Sequence, residues 1–263
     1  MASSPSVTES SGIWEVKKVT QILSNTTDMI QVTAATEDDI NTDAAPKSSK
    51  PFQALIHKSL LCFFSPYYRA ALQGGFLEAS KKSVVLELDI EDRQYFVGWL
   101  YSGQLPDVPM PGHLFELYIF ADKTDILALR RAIMTKIIRM EHKMMPTFHE
   151  IAVALDSLPS TSPLYRWLLD TCVHHWVSKY PIAVTLPNGF LVDWIKGAAD
   201  RTCATTEGYC SECPCCEQNS CNYHEHESAE EWTSTCGASK EIQAKLPDHS
   251  YLVNETTLEI DGM

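Results

Sequence analysis

Short stretches of apolar and β-branched residues in the first 90 positions predict a small β-sheet. Two of them, Met29–Thr33 and 51–56, are typical of strands, and a third follows at 83–88. Polar residues fill positions 37–50 between the first two predicted strands, so we expect a long flexible hairpin loop there. The pattern therefore predicts three strands, the first two joined by this loop.

Further along the chain the apolar residues take on the period of a helix. Leu60, Phe64 and Tyr68 are spaced four apart and therefore share one helical face. Ser65 followed by Pro66 is typical of a new helix start, so we expect two short helices, the second closed by a Gly-Gly pair. The same period predicts further helices at 92–101, 114–121, 126–137, 148–155, 164–176 and 190–195.

The composition is that of a globular chain, with 44% hydrophobic and 10% aromatic residues among 263. Residues 1–27 are rich in Ser and Thr, and we expect them to be disordered. The longest apolar runs are far shorter than the roughly 20 residues of a membrane helix, so no membrane span is expected. Residues 1–6 lack the basic and apolar regions of a secretory signal, which predicts an intracellular protein of the cytoplasm or nucleus.

Charge and motifs argue against two functional classes. The formal net charge of −13 opposes binding to phosphate backbones, so we expect no nucleic-acid partner. The sequence has no glycine-rich phosphate loop, no Gly-x-Ser-x-Gly and no His-Glu-x-x-His, so we expect no catalytic residues and no enzyme. Most of the negative charge lies from Asp200 onward, where 13 acidic residues accompany three basic ones.

Four motifs follow one another in the first half of the chain. The first runs from His57 to Leu72 as His-Lys-Ser-Leu-Leu-Cys-Phe-Phe-Ser-Pro-Tyr-Tyr-Arg-Ala-Ala-Leu, and Gly-Phe-Leu-Glu-Ala-Ser follows it at 75–80. The others are Val-Val-Leu-Glu-Leu at 84–88, Phe-Val-Gly-Trp-Leu-Tyr-Ser-Gly at 96–103 and Leu-Tyr-Ile-Phe-Ala-Asp-Lys-Thr-Asp-Ile at 117–126. In this order the motifs closely resemble those of the BTB/POZ domain family.

The resemblance implies a fold and a class of function. The fold is α+β over residues 28–140, with a small three-stranded sheet flanked by helical hairpins. The function implied is that of a non-enzymatic adaptor, which forms a homodimer and holds a protein partner such as a cullin-type ubiquitin-ligase scaffold or a transcriptional regulator. The polar insert at 37–50 departs from the family, in which the first two strands usually form a tight hairpin.

Four residues of this region are candidates for the interface. Asp28 matches an Asp that in the family lies near the dimer surface. Tyr67 and Tyr68 belong to an aromatic stripe that is either part of the core or an exposed contact surface. His57 has no carboxylate or nucleophile beside it in the sequence, so we expect it to bond locally and to play a structural role.

The resemblance extends to fungal-type BTB proteins that carry further helices after the domain. Ser-Pro-Leu-Tyr-Arg-Trp-Leu-Leu-Asp at 162–170 and His-His-Trp at 174–176 are similar to those helices, which implies a helical extension at 141–200. Residues 201–263 then form an acidic tail rich in Cys and His. Its segment Cys-Asn-Tyr-His-Glu-His at 221–226 is similar to one near the end of those proteins.

The segment from Cys203 to Cys236 in this tail carries seven of the nine cysteines and almost no aliphatic residues, so an apolar core does not account for it. Zinc takes four thiolate or imidazole ligands, and its binding can order such a segment. The preferred zinc ligands, by similarity to the family segment, are Cys221, His224, His226 and Cys236, with Cys210, Cys213 and Cys216 as alternatives. Free thiols in a disordered tail, and redox pairing of the close cysteines, remain open. The alternative function is therefore a metal or redox sensor in which the tail is the active part.

The remaining two cysteines belong to predicted helices. Cys172 continues the apolar stripe formed by Leu164 and Leu168, so we expect it to be buried as a small hydrophobe. His175 lies close to it on the same helix, but the sequence suggests no orienting group for a nucleophilic pair. Cys62, in the first helix of the hairpin, is also expected to be buried.

Overall fold

The computed structural model describes residues 13–33, 53–107, 111–140, 146–176, 185–200, 213–215, 220–226 and 228–235. Within them the architecture is mixed α and β, mostly helical, with one three-stranded sheet. No helix in the described segments is long and apolar enough to cross a membrane. The chain divides after Glu225 into two compact units. The first unit contains the sheet and nine of the ten described α-helices.

The sheet is mixed, and the strand nearest the N-terminus lies at its centre. Its strands are β1 (Met29–Thr33), β2 (Ala54–His57) and β3 (Ser83–Val85). β2 runs antiparallel to β1, with Ile30 opposite Ile56, and β3 runs parallel to β1, with Val32 opposite Val84. Ile30, Val32 and Ile56 are buried in the core, so one face of the sheet is apolar and covered. The insert at 37–50 lies outside the described residues.

Helices account for most of the first unit. They are α1 (Val16–Asn25), α2 (Lys58–Phe64), α3 (Pro66–Gln73), α4 (Ile90–Ser102), α5 (Pro111–Lys123), α6 (Leu127–Arg139), α7 (Phe148–Ser157), α8 (Pro163–His175) and α9 (Asn188–Asp200). Short 3₁₀ turns lie at Leu77–Ser80 and Ser220–Tyr223, and the second unit contains α10 (Ala229–Thr235). The elements predicted between residues 29 and 200 are present with ends that differ by a few residues, which confirms the α+β class.

Side-chain caps explain where several helices begin. The hydroxyl of Ser65 accepts a hydrogen bond from the Tyr68 N–H at 3.0 Å, and Pro66 then starts α3. Thr147 and Glu150 form a reciprocal capping box at the start of α7. Both helix starts are therefore encoded locally in the sequence.

The segment before the sheet differs from the disorder expected up to residue 27. It forms α1, in which Val19 is buried, and the Trp14 indole N–H donates to the Leu100 carbonyl at 3.2 Å. The Trp14 ring lies against Gly103, which ends α4 at a φ of 70°, and a Cβ at Gly103 would lie 2.5 Å from the ring. A few apolar side chains are enough to order this helix because they pack on the folded body.

The core of the first unit is aromatic at its centre. Trp99 is fully buried, with its ring centroid 5.3 Å from that of Phe64 and 6.2 Å from that of Phe96. Cys62 and Cys172 are also buried, as expected from their positions in apolar helices. Burial raises the pKa of the Cys62 thiol to about 11 and that of the Cys172 thiol to about 12. Both thiols are therefore protonated at neutral pH and act as small apolar groups.

Candidate metal centre

Helix α8 positions a histidine at the edge of the buried core. Pro163 lies in its first turn, and Leu164, Leu168 and Cys172 are buried along one face. His175 is the last residue of the helix and lies one turn beyond Cys172, so its imidazole extends from the end of that face.

Two cysteines of the tail meet this histidine. The Nε2 atom of His175 lies 3.2 Å from the Sγ of Cys213, and the Sγ atoms of Cys213 and Cys215 lie 3.3 Å apart. Both cysteines are almost completely buried, with 1% and 2% of their surface exposed. A disulfide needs about 2.05 Å between its sulfur atoms, so Cys213 and Cys215 are not joined to each other by one.

One nitrogen and two sulfur atoms thus converge on one small volume. The three donor atoms of His175, Cys213 and Cys215 all lie within 4.8 Å of one another, and the group could hold a metal ion. The two residues from the tail are separated by a single residue, so one short turn of backbone supplies both sulfurs.

The ligands preferred from the sequence have other described contacts. The His224 Nε2 lies 2.8 Å from the Thr135 hydroxyl, and the His226 Nδ1 lies 3.2 Å from a carboxylate oxygen of Glu231 in the second unit. Neither histidine belongs to a group of three or more donor atoms within the described part of the chain.

The cysteines of the predicted set are only partly described. Cys221 lies in the 3₁₀ turn Ser220–Tyr223, and only its backbone is described. Cys210, Cys216 and Cys236 lie outside the described residues, whereas the alternative Cys213 belongs to the cluster with His175. The preferred set therefore stays a prediction.

A second group of contacts fixes the tail to α6, and we call residues 223–225 the tail anchor. Arg130 donates two hydrogen bonds to the Glu225 carboxylate, from Nε at 2.6 Å and from Nη2 at 3.1 Å. The Nε of Arg131 donates to the Glu225 backbone carbonyl at 2.6 Å. Two adjacent arginines of one helix therefore bind both the side chain and the backbone of a single glutamate.

The tail anchor also contacts α8. The Tyr223 hydroxyl donates to the Asp170 carboxylate at 2.7 Å, and Tyr223 is 2% exposed. Burial raises the pKa of Asp170, although the hydrogen bond from Tyr223 opposes the rise. Because Cys213, Cys215 and Tyr223 join the core of the first unit, an apolar environment does order this part of the tail, contrary to expectation.

A second donor group lies at the start of α4. Asp89 caps the helix by accepting from the Asp92 N–H at 2.7 Å, and Asp92 lies 2.9 Å from the Nδ1 of His113. Burial and the nearby Asp89 raise the pKa of Asp92 to about 6, while His113 acts against the rise. The three residues could hold a cation, but their described contacts already serve a helix cap and a link between α4 and α5.

The predicted interface residues fall in different environments. Asp28 is exposed, and its carbonyl accepts from the Lys58 N–H. The ring Nδ1 and the backbone N–H of His57 both lie 3.0 Å from the hydroxyl of Tyr101, a residue of α4 that is 44 positions away in the sequence. Tyr67 is 54% exposed, whereas Tyr68 is 4% exposed because α3 turns it into the core, where it is out of reach of a partner.

Sequence reasoning did not consider His175 as a metal ligand, and it counted Cys215 among the possible ligands of the tail without placing it in the preferred set or among the alternatives. The Cys-x-Cys spacing at 213–215 is the signal that could have indicated a pair of donors, but nothing near it in the sequence points to a histidine 38 residues away. A scan of the chain against protein-family models and a search of curated proteins both find no match.

Proposed function

We propose that this chain is a non-enzymatic interaction protein of the BTB/POZ type, which self-associates and holds a protein partner inside the cell. The observation that carries the proposal is the position of the four sequence motifs on the fold. The first motif forms the α2–α3 hairpin, the second contains the last two residues of β3, the third forms the C-terminal part of α4, and the last forms the end of α5 and the turn into α6. This is the element order that the resemblance implies around a three-stranded sheet.

The open face of the sheet supports self-association. Met29 of β1, Leu55 of β2 and Val85 of β3 are 38%, 66% and 47% exposed, on a sheet whose other face is buried. They share the open face with the polar residues that pair with them, His57, Gln31 and Thr33. An exposed sheet face that mixes apolar and polar side chains is one that another chain can cover. A second copy of this chain is the occupant we propose, because self-association is what the family resemblance implies.

Light scattering of the full chain across a dilution series tests the proposal. A mass of two chains that persists on dilution is expected. Leu55→Lys places a charge on the open face and is expected to shift the mass to one chain, because burying an unpaired charge opposes association. Ile195→Lys is the matched control, since Ile195 is 69% exposed on α9, and it is expected to leave the mass unchanged.

Two results would contradict the proposal. A wild-type chain that is monomeric at every concentration removes self-association. A dimer unaffected by Leu55→Lys shows that another surface is used.

The partner class that we propose is a cullin-type ubiquitin-ligase scaffold or a transcriptional regulator. The net charge of −13 favours a protein over a nucleic acid as partner. Co-elution of the full chain with a purified cullin scaffold checks the first class, and separate elution at micromolar concentrations rules it out.

The donor cluster favours a second candidate function, metal or redox sensing. His175, Cys213 and Cys215 are the kind of group that zinc binds, and zinc is the metal we propose for the tail. A sensor is expected to change its mass or its partner binding when metal is removed or when thiols are oxidised. An adaptor is expected to keep the same mass and the same partner binding under both treatments.

A further inference from the structure

We propose that His175, Cys213 and Cys215 are ligands of one zinc ion that fastens the Cys-rich segment to the C-terminal end of α8. The proposal does not rest on the adaptor function, because it concerns contacts outside the sheet and the interface residues. It names His175 and Cys215, neither of which belongs to the ligand set preferred from the sequence.

The geometry of the donor atoms is close to that of a zinc site. Around a tetrahedral zinc ion with Zn–S near 2.3 Å and Zn–N near 2.0 Å, neighbouring donor atoms lie roughly 3.5 to 3.8 Å apart. The observed separations are 3.2 Å between His175 Nε2 and Cys213 Sγ, and 3.3 Å between the two sulfurs. Outward shifts of a few tenths of an ångström in the side chains bring these atoms to ligand positions.

The chemistry of the donors selects the same metal. Two thiolates and one imidazole are soft to borderline donors, which bind zinc better than magnesium or calcium. On binding, each thiol releases one proton to solvent and its sulfur takes a coordination site, while the imidazole binds through a neutral nitrogen. Two thiolates balance the two positive charges of the ion, so the site adds no net charge to a place where both cysteines are 2% exposed or less.

The position of the cluster shows what the ion would do. His175 ends α8, and Cys213 lies 38 residues later, with α9 between them. α9 packs so closely on α8 that a Cβ added at Gly197 would lie 2.7 Å from a methyl group of Val173. A shared metal ion would therefore join the two ends of the segment 175–213, which contains α9. It would act as a cross-link in a part of the tail that has few aliphatic residues.

The test measures zinc in the purified full chain and in single variants by elemental analysis, with circular dichroism to check the fold. His175→Asn, Cys213→Ser and Cys215→Ser are each expected to lose one zinc ion per chain. Two controls are expected to retain it: Cys62→Ala, which removes a buried thiol of the body, and His149→Asn, which removes an exposed histidine of α7. His224→Asn, which removes a ligand of the set preferred from the sequence, is also expected to retain it.

A measurement on the wild-type chain guards against variants that fail to fold. When Co²⁺ replaces the zinc, the wild type is expected to show thiolate-to-cobalt charge-transfer absorption, and each cysteine variant that folds is expected to lose roughly half of it. A wild-type chain that contains no zinc and gives no such absorption with Co²⁺ overturns the proposal. The proposal is also overturned if the three ligand variants retain their zinc, or if His224→Asn loses zinc while His175→Asn retains it.

Discussion

The described residues from 13 to 200, which we call the body, and those of the tail are held in place by different kinds of interaction. In the body, residues such as Trp99 and Phe96 are fully buried among other apolar side chains. In the tail, Glu225 is held by two arginines, Tyr223 by the partly buried carboxylate of Asp170, and Cys213 by a histidine and a second thiol. The body depends mainly on buried area, whereas the described part of the tail adds these directional contacts to the few side chains, Cys213, Cys215 and Tyr223, that it buries in the same core.

This difference predicts how the stability of each region responds to a single substitution. Apolar burial is shared among many neighbours, so one substitution in the body affects the stability of the whole unit. A directional contact has one partner, so its loss is expected to release a segment and leave the rest folded. The predictions below test this contrast from the largest expected effect to the smallest.

The largest effect is expected from Trp99→Ala in the centre of the body. Removing a fully buried indole leaves a cavity between Phe64 and Phe96, and we expect a loss of about 3 to 5 kcal/mol in the free energy of unfolding. Chemical denaturation measures the loss. Ile195→Ala, at a site 69% exposed, is the control and should change it by less than about 0.5 kcal/mol. A comparable loss in both variants would contradict the role given to the aromatic core.

A smaller effect is expected from the carboxyl of Asp92, a polar group inside the body. Because the pKa of Asp92 is raised to about 6, the folded state holds its proton more tightly than the unfolded chain does. Raising the pH from about 4 to about 6 should therefore lower the free energy of unfolding by about 2 kcal/mol relative to Asp92→Asn.

Denaturation at a series of pH values checks this prediction. Glu91→Gln, whose carboxyl is 65% exposed and also faces His113, is the control and should follow the wild-type pH profile. Parallel profiles for the wild type and Asp92→Asn would show that burial of this carboxyl carries no cost.

The smallest effect on overall stability is expected from Glu225→Ala in the tail anchor. The substitution removes the carboxylate that Arg130 binds, at a cost of about 1 to 2 kcal/mol, while Arg130 keeps an ion pair with Asp125. The readout is limited proteolysis, in which the region near residues 220–225 should be cleaved faster while the body resists.

The matched control for this contact is Asp107→Ala. It removes the partner of Lys136, and the Asp107 carboxylate is 99% exposed, so we expect no measurable change in cleavage. Equal cleavage rates in wild type and Glu225→Ala would show that the anchor does not depend on this ion pair.

The sequence predicted the body well because its signals are local. Ser65 and Pro66 determine a helix start, and the spacing of Leu60 and Phe64 determines the buried face of α2, without reference to distant residues. Helix α1 was missed because its order depends on Trp14 reaching Leu100, 86 residues away.

The candidate site was only partly predictable for the same reason. Cys213 was recognised as a ligand candidate from its spacing to other cysteines, but His175 lies beside an apolar helical stripe, and nothing in its position predicts a contact with the tail. Only the fold brings the end of α8 to the tail. The Tyr68 side chain shows the converse, since an aromatic stripe does not reveal which of its members faces the core.

The central place of β1 has a consequence for the order in which the chain can fold during synthesis. β1 is made first, but its two neighbours are complete only when residues 57 and 85 have been made. The contact between Arg130 and Glu225 spans 95 residues and must wait longer still. As the chain leaves the ribosome, the sheet can therefore assemble well before the tail reaches its place on α6.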